Sequence, residues 1–175
     1  MDEFMALPDS SGLELVEGML AERKTMGALS NYVAAQLAAL LVSFCREHLV
    51  GHVFASDAVY RCFAHPDTGR KPDVSFVATG RLPGDSIPEG YIDIPADVAV
   101  EVVSPNDLAY EVEDKVALYQ ANGFGEVWVV YPNTRTMYVH RKGEATLRLE
   151  DDQGFHGRGP LAEFSFVLSE VFPAR

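Results

Sequence analysis

The stretch Ala96–Tyr119, which reads ADVAVEVVSPNDLAYEVEDKVALY, places a carboxylate inside an apolar strand and a lysine on the helix that follows. In the strand, valines alternate with Ala99, Glu101 and Val103, which therefore share one face. A run this apolar and β-branched is typical of a strand that is covered on both faces. An ionised Glu101 in such a strand costs several kcal/mol unless a cation or a hydrogen-bond donor meets it. We therefore expect a positive group opposite Glu101.

The following helix supplies a candidate for that positive group. A helix is predicted over Asp107–Asn122, because Asn106 or Asp107 can cap its N-terminus and a glycine follows it. Lys115 lies within the apolar stripe of this helix, and its position predicts that the lysine is turned inward. A purely structural ion pair between Glu101 and Lys115 would explain the same pattern. The stripe itself consists of Leu108, Val112, Val116 and Tyr119.

The length and charge of the chain limit the classes of protein to consider. Its 175 residues predict one domain over residues 1–175, with an N-terminal arm at 1–12 and a long loop at 79–96 that is expected to flank the site. The chain carries 14 basic and 26 acidic residues, a net charge of −12. This balance argues against a protein that coats nucleic acid through phosphate contacts. It does not exclude an enzyme, because a metal ion can neutralise a local acidic cluster.

The sequence favours a cytoplasmic protein with no membrane partner. No apolar run approaches the roughly 18 residues needed to span a membrane, and the N-terminus, MDEFMALPDS, lacks the basic flank and apolar core of a signal peptide. Cys45 and Cys62 have no metal-type spacing. Reduced thiols are therefore expected, although two cysteines leave a disulfide open.

Hydrophobic periodicity predicts the remaining elements of an α/β domain. A long core helix is predicted over Gly27–His48, and a short helical turn over Glu3–Leu7. Besides the strand that contains Glu101, the predicted strands are Leu13–Glu17, Met19–Lys24, Val53–Ala55, Val59–Phe63, Val74–Ala78, Glu126–Tyr131, Thr136–Arg141, Ala145–Glu150 and Phe164–Leu168.

Three charged residues are the candidates for chemistry. Asp73 stands at the start of the strand Val74–Ala78, Glu101 lies in the next core strand, and Lys115 lies on the following helix. Carboxylates from adjacent strands can converge on a hard cation such as Mg²⁺, and a bound metal acidifies water and offsets charge on a phosphate. A nearby ammonium can hold or deprotonate the attacking water, or stabilise the transition state. Asp73 taken alone could equally cap a turn after Pro72.

This constellation resembles the PD-(D/E)XK nuclease superfamily, which has the restriction-endonuclease-like fold. The resemblance rests on Pro72-Asp73 followed by Glu101 in a hydrophobic strand. It is closer to one branch of bacterial restriction-endonuclease-like proteins, which is abundant in cyanobacteria. The pattern of that branch appears in matching order over residues 4–141, as LELVEGML, KPDVSFV, VEVVSPND, DKVALYQANGFGEVWVVYP and TMYVHR. The resemblance implies an α/β fold with a mixed central β-sheet flanked by helices.

The resemblance also implies roles for particular residues. Asp73 and Glu101 would be metal ligands, and Lys115 would be the catalytic lysine. The superfamily carries a lysine two residues after the glutamate, where this chain has Val103. In the branch that this chain resembles, a lysine on the next helix takes that place, and Lys115 matches it. Glu17, in the first hairpin, is an additional candidate ligand or orienting group.

The combined prediction is a nuclease that uses Mg²⁺ or Mn²⁺ to cleave nucleic acid, with DNA as the expected substrate. The branch often carries a histidine where this chain has Ser30, so that contribution is not expected. One alternative is a catalytically inactive module that binds nucleic acid or protein on the same fold, which the acidity of the chain favours. Another is a metal phosphoesterase that acts on small substrates. A homodimer is also predicted, because the hairpin over residues 126–141 could offer a sheet edge or face.

Overall fold

The computed structural model describes residues 1–10, 12–65 and 67–174. Its helices are α1 (Asp2–Met5), α2 (Ala28–His48) and α3 (Ala109–Ala121). Its strands are β1 (Leu13–Val16), β2 (Met19–Glu22), β3 (Gly51–Ala55), β4 (Val74–Ala78), β5 (Val98–Val102), β6 (Glu126–Tyr131), β7 (Thr136–Arg141), β8 (Leu147–Leu149), β9 (Gly154–His156) and β10 (Ser165–Val167). Short 3₁₀ helices cover Pro83–Asp85, Gly159–Leu161 and Leu168–Val171.

A six-stranded mixed sheet forms the centre of the structure, in the order β3-β4-β5-β6-β7-β8. Strands β5 and β6 pair in parallel, because α3 connects them as a crossover helix. The other neighbours in this sheet are antiparallel. Two further antiparallel pairs, β1–β2 and β9–β10, lie outside it. The predicted α/β fold with a mixed central sheet flanked by helices is confirmed.

Strand β5 divides the core into two layers. All five of its residues are buried, as its composition predicted. Val98, Val100 and Val102 pack in the cluster that contains the buried face of α2. Ala99 packs on the opposite side, in the cluster that contains Val112, Val116 and Tyr119 of α3. Because side chains alternate along a strand, Glu101 shares the α3 side with Ala99.

Helix α2 packs against the sheet through one face. Its buried residues are Ser30, Val33, Ala34, Leu37, Leu41 and Cys45. These residues recur at helical spacing, and the helix contacts β3, β4 and β5. Ala28–His48 is long and apolar enough to cross a membrane by length and composition alone, since it has 21 residues and a mean hydropathy of 1.6. Within the structure, 33% of its most apolar stretch is buried. This corrects the expectation that no apolar run approaches membrane-spanning length, although a helix packed on a sheet meets the same criterion.

The start of α3 differs from the prediction. The helix begins at Ala109, and Leu108 occupies the cap position. The Asp107 carboxylate does not cap the helix and instead accepts a hydrogen bond from the Ser104 N–H at 2.7 Å, which closes the preceding turn. The Glu111 carboxylate reaches back to accept from the Leu108 N–H. Leu108 is 46% exposed, so it does not belong to the buried stripe.

The strand prediction over Val59–Phe63 is wrong. Tyr60 makes isolated bridges to Arg70 and Ile92 but joins no ladder. This segment is apolar because its side chains enter the core, and burial alone does not require a strand. The predicted strands late in the chain shorten to β8 and β10. Strand β9 was not predicted, since only Phe155 among its residues is buried.

The hairpin of β6 and β7 forms as predicted, but it has no free edge. Strand β8 pairs with β7 from Met137 to Val139, so the edges of the central sheet are β3 and β8. Self-association through an edge of this hairpin is therefore a wrong prediction, and a homodimer through another surface stays a prediction. Cys45 and Cys62 are both free thiols.

Candidate active site

Two carboxylates face each other across neighbouring strands at one end of the sheet. In the antiparallel pair of β4 and β5, Val74 lies opposite Val100, and the Asp73 N–H donates to the Val100 carbonyl at 3.0 Å. This hydrogen bond is one residue out of step with the ladder, so regular pairing of β4 with β5 ends at Val74. Asp73 Oδ2 accepts from the N–H of Val102, the residue after Glu101, and the charge of Glu101 acts on Asp73. Both carboxylates are buried, so the fold brings together the two acids that the sequence singled out.

Helix α3 closes over Glu101 with two side chains one turn apart. Lys115 Nζ donates to Oε2 of Glu101 at 2.8 Å, and the Tyr119 hydroxyl donates to Oε1 at 2.7 Å. Their spacing of four residues places both side chains on the same helix face. Lys115 is therefore the positive group expected opposite Glu101. Tyr119 is fully buried, as a core residue should be, and it also fixes the orientation of the carboxylate.

Asp73 carries a negative charge that its surroundings only partly compensate. The Val102 N–H donates to Oδ2 at 2.7 Å, and Arg23 Nη2 lies 3.3 Å from Oδ1. Burial and the neighbouring Glu101 carboxylate nevertheless raise the pKa of Asp73 to about 7. Arg23 lies after β2 and shares its guanidinium with Asp57. Nothing in the sequence pattern pointed to Arg23, because its partners are 34 and 50 residues away.

The electrostatics of Lys115 decide which chemical role it can have. Burial acts to lower the pKa of Lys115, but the negative charges of Glu101, Glu14 and Asp73 and the hydrogen bond to Glu101 outweigh burial and raise that pKa above its usual value. The ammonium therefore stays protonated at neutral pH. It can stabilise negative charge or hold a water oxygen, but it is poorly suited to remove a proton.

Glu14 is a buried acid that the sequence analysis did not single out. Its Oε2 accepts from Arg70 Nη1 at 3.0 Å, and its Oε1 accepts from the Lys71 N–H at 3.0 Å. Burial acts to raise the pKa of Glu14, but the positive charges of Lys115 and Arg70, together with these hydrogen bonds, lower it below the usual value. Glu14 and its neighbour Leu15 are both buried in β1, so the strand shows no alternation from which the burial of Glu14 could have been predicted.

The candidate Glu17, Ser30 and the long loop lie away from this cluster. Glu17 sits in the tight turn between β1 and β2 at φ 50°, and its side chain is exposed. Ser30 is buried, and its hydroxyl donates to the Val103 carbonyl at 3.0 Å, which ties α2 to the end of β5. No residue of the loop at 79–96 is among those that line the cavity described below. The expectation that this loop flanks the site is therefore wrong.

The charged cluster opens into a cavity of about 490 Å³. Asp73, Glu101, Lys115, Glu14 and Arg70 all line it. Among the residues that the structure describes, eight acidic and four basic residues line the cavity. The remaining acids are Glu22, Asp57, Asp107, Glu111 and Asp114, and the remaining bases are Arg23 and Lys24. The volume is in the range of small-ligand sites. A polyanion would be repelled from such a wall unless a cation were bound there.

The donor set fits a hard cation through two protein ligands. In residues 1–10, 12–65 and 67–174, no group of three or more His, Cys, Asp and Glu side chains is arranged to hold a metal ion. Asp73 and Glu101 would therefore supply two carboxylates, and Mg²⁺ usually keeps several waters in its remaining positions. Each carboxylate oxygen keeps acceptor capacity beyond the single hydrogen bond it makes. The raised pKa of Asp73 marks an excess of negative charge that a cation would relieve.

The sequence of this chain matches the model of a known protein family. The family model described as "Putative restriction endonuclease" and named Uma2 matches residues 1–166. The chain belongs to the Uma2 family. This assignment fits the PD-(D/E)XK superfamily, so the resemblance drawn from the sequence is confirmed. No curated protein matches the chain.

A solved structure has the same fold as this Uma2 protein. It is described as the crystal structure of "a putative nuclease belonging to DUF820 from Anabaena variabilis ATCC 29413". The TM-score is 0.82 at 20% sequence identity, and the match covers 98% of this chain and 96% of the other. At this identity the likeness shows the fold alone. At the level of the family, the comparisons support a nuclease.

Proposed function

We propose that this Uma2 protein is a cytoplasmic, metal-dependent nuclease that hydrolyses phosphodiester bonds of DNA. The observation that carries the proposal is the pair of opposed carboxylates, Asp73 and Glu101, with the Lys115 ammonium beside them in one cavity. Acids from adjacent strands and one cation are the groups that phosphodiester hydrolysis requires. The free state of both cysteines supports a reducing compartment.

In this proposal, Asp73 and Glu101 hold Mg²⁺ or Mn²⁺, which when bound supplies a Lewis acid at the phosphate and an acidified water. Lys115 acts as a permanent cation, because its raised pKa keeps it protonated. It stabilises the negative charge that develops on the phosphate oxygens during attack. Tyr119 holds Oε1 of Glu101 and so limits rotation of the carboxylate. The buried walls keep these groups in place before the substrate arrives.

A second candidate function is a binding module on the same fold with an inactive site. It is favoured by the complete set of partners around the two acids, since each oxygen of Asp73 and Glu101 already accepts a hydrogen bond from the protein. The net charge of −12 points the same way. The two candidates differ in metal binding, because an internally satisfied ion pair has little need of a cation.

The test is a calorimetric titration of Mn²⁺ at pH 8 into the wild type, Asp73→Asn and the surface control Asp152→Asn. Saturable binding in the wild type and the control, with loss in Asp73→Asn, is the expected result. No binding at millimolar Mn²⁺, with or without DNA, would refute the nuclease proposal and favour the binding module.

A DNA-cleavage assay then distinguishes a loss of catalysis from a loss of metal binding. Plasmid DNA is incubated with Mg²⁺ and the wild type or Lys115→Met. We expect Lys115→Met to bind Mn²⁺ at least as well as the wild type, because Glu101 loses a competing cation, and to cleave at least about 100-fold more slowly. Hydrolysis of a small phosphodiester without cleavage of DNA or RNA would instead assign the site to a phosphoesterase of small substrates.

A further inference from the structure

Within residues 1–10, 12–65 and 67–174, four cations line the cavity, and each is paired with a carboxylate. Lys115 contacts Glu101, as described above. Lys24 contacts Glu111. Arg23 divides its guanidinium between Asp57 and Asp73, and Arg70 contacts Glu14. The cavity wall therefore holds its positive charge in ion pairs.

Arg70 differs from the other three in one respect. Its Nη1 donates to Glu14 at 3.0 Å, but its Nε is buried and has no hydrogen-bond partner within the described part of the chain. A buried N–H that lacks a partner is unfavourable and rare in folded proteins. Elsewhere in the protein, arginine Nε atoms donate to acceptors, as in Arg61, Arg135, Arg141 and Arg148.

The backbone and Glu14 hold the Arg70 side chain in place. The backbone of Arg70 exchanges two hydrogen bonds with Tyr60, at 2.8 and 3.1 Å. Glu14 is itself fixed by the Lys71 N–H, one residue further along the chain. Arg70 is also only three residues before Asp73, and both line the same cavity. The unpartnered donor is therefore preorganised next to the proposed reaction centre.

We propose that Arg70 binds a phosphate group of the nucleic-acid strand in this cavity. The guanidinium is planar, and the edge that carries Nε suits the two oxygens of a phosphate, while Nη1 stays with Glu14. This role rests on the proposed function, since it takes a phosphodiester as the substrate. It assigns Arg70 to binding, whereas Lys115 contributes to the reaction at phosphorus.

The arginine Nε–H signals in a ¹H–¹⁵N spectrum test this role without any measurement of activity. The Arg70 signal is assigned by its absence in Arg70→Lys. The protein with Mg²⁺ is titrated with inorganic phosphate, with thymidine 3′,5′-bisphosphate, and with thymidine as an uncharged control. We expect both phosphates, but not thymidine, to shift the Arg70 Nε–H signal. The signals of Arg61, Arg135, Arg141 and Arg148 serve as internal controls and should stay in place.

The affinity of the variant completes the test. We expect Arg70→Lys, which keeps the charge but loses the planar fork, to bind the bisphosphate at least about tenfold more weakly. An unmoved Arg70 signal at saturating bisphosphate, or equal affinity in Arg70→Lys, would overturn the assignment even if the wild type cleaves DNA. If the Arg70 signal shifts but the protein binds no Mn²⁺ and cleaves no nucleic acid, the result would support phosphate binding by Arg70. The same result would refute the nuclease proposal.

Discussion

Replacing Asp73 by asparagine should stabilise the metal-free protein. The folded protein raises the pKa of Asp73 to about 7 from 3.8, through burial and the charge of Glu101. At 1.36 kcal/mol per pKa unit, the ionised carboxylate therefore costs the folded state up to roughly 4 kcal/mol relative to the unfolded chain. An asparagine removes that charge, and its amide oxygen can still accept from the Val102 N–H.

The expected gain is smaller than this limit. The variant gives up the ion pair with Arg23, whose Nη2 lies 3.3 Å from Oδ1. Arg23 then keeps only the contacts of Nη1 with Asp57 and Ser56 among the described residues. We therefore expect Asp73→Asn to increase the free energy of unfolding by about 1–3 kcal/mol at pH 8. The same substitution removes a proposed metal ligand, so stability and Mn²⁺ binding should change in opposite directions.

The pH dependence follows from the direction of the shift. Because the folded state binds this proton more tightly, the free energy of unfolding of the wild type receives a contribution from Asp73 that decreases as pH rises from about 4 to about 7. At pH 5 the folded wild type is already protonated at Asp73, so the advantage of Asp73→Asn should shrink.

Urea denaturation in the presence of a chelator measures both effects, at pH 5 and pH 8, with Asp152→Asn as the matched surface control. A loss of stability in Asp73→Asn at pH 8, with Asp152→Asn unchanged, would refute the argument that the ionised Asp73 carboxylate destabilises the folded protein. An equal gain at both pH values would show that the gain does not come from the ionisation of Asp73.

Two further substitutions test the surroundings of the acids. Tyr119→Phe removes the donor to Oε1 of Glu101, so we expect a loss of about 1–2 kcal/mol in urea denaturation, with Tyr131→Phe as the control; equal stability of Tyr119→Phe and wild type would mean that the hydrogen bond contributes nothing. Glu17→Gln should leave Mn²⁺ affinity and stability within measurement error, because Glu17 is an exposed turn residue outside the cavity. Loss of Mn²⁺ binding in Glu17→Gln would restore it as a ligand.

The sequence by itself determined the elements that local pattern controls. The two-residue period of β5 and the helical period of α3 were enough to predict that Glu101 and Lys115 meet, because the residues are only 14 apart and lie on consecutive elements. The same periods predicted β4, β6 and β7 with the observed bounds, and α2 with a start one residue too early. Burial patterns of this kind are local, and they report which face of an element is covered.

Only the tertiary structure decided what surrounds those two residues. Glu14 and Arg70 meet across 56 positions of sequence, and Arg23 reaches Asp73 across 50. The adjacency of β4 and β5 brings Asp73 near Glu101. Burial and the charge of Glu101 raise the pKa of Asp73, an effect that depends on the depth of burial and on the distance between charges. The hydrophobic period of a sequence gives neither the distance between two charges nor their depth of burial. The sequence therefore predicted the central acids and the lysine, but not the charge balance of the site.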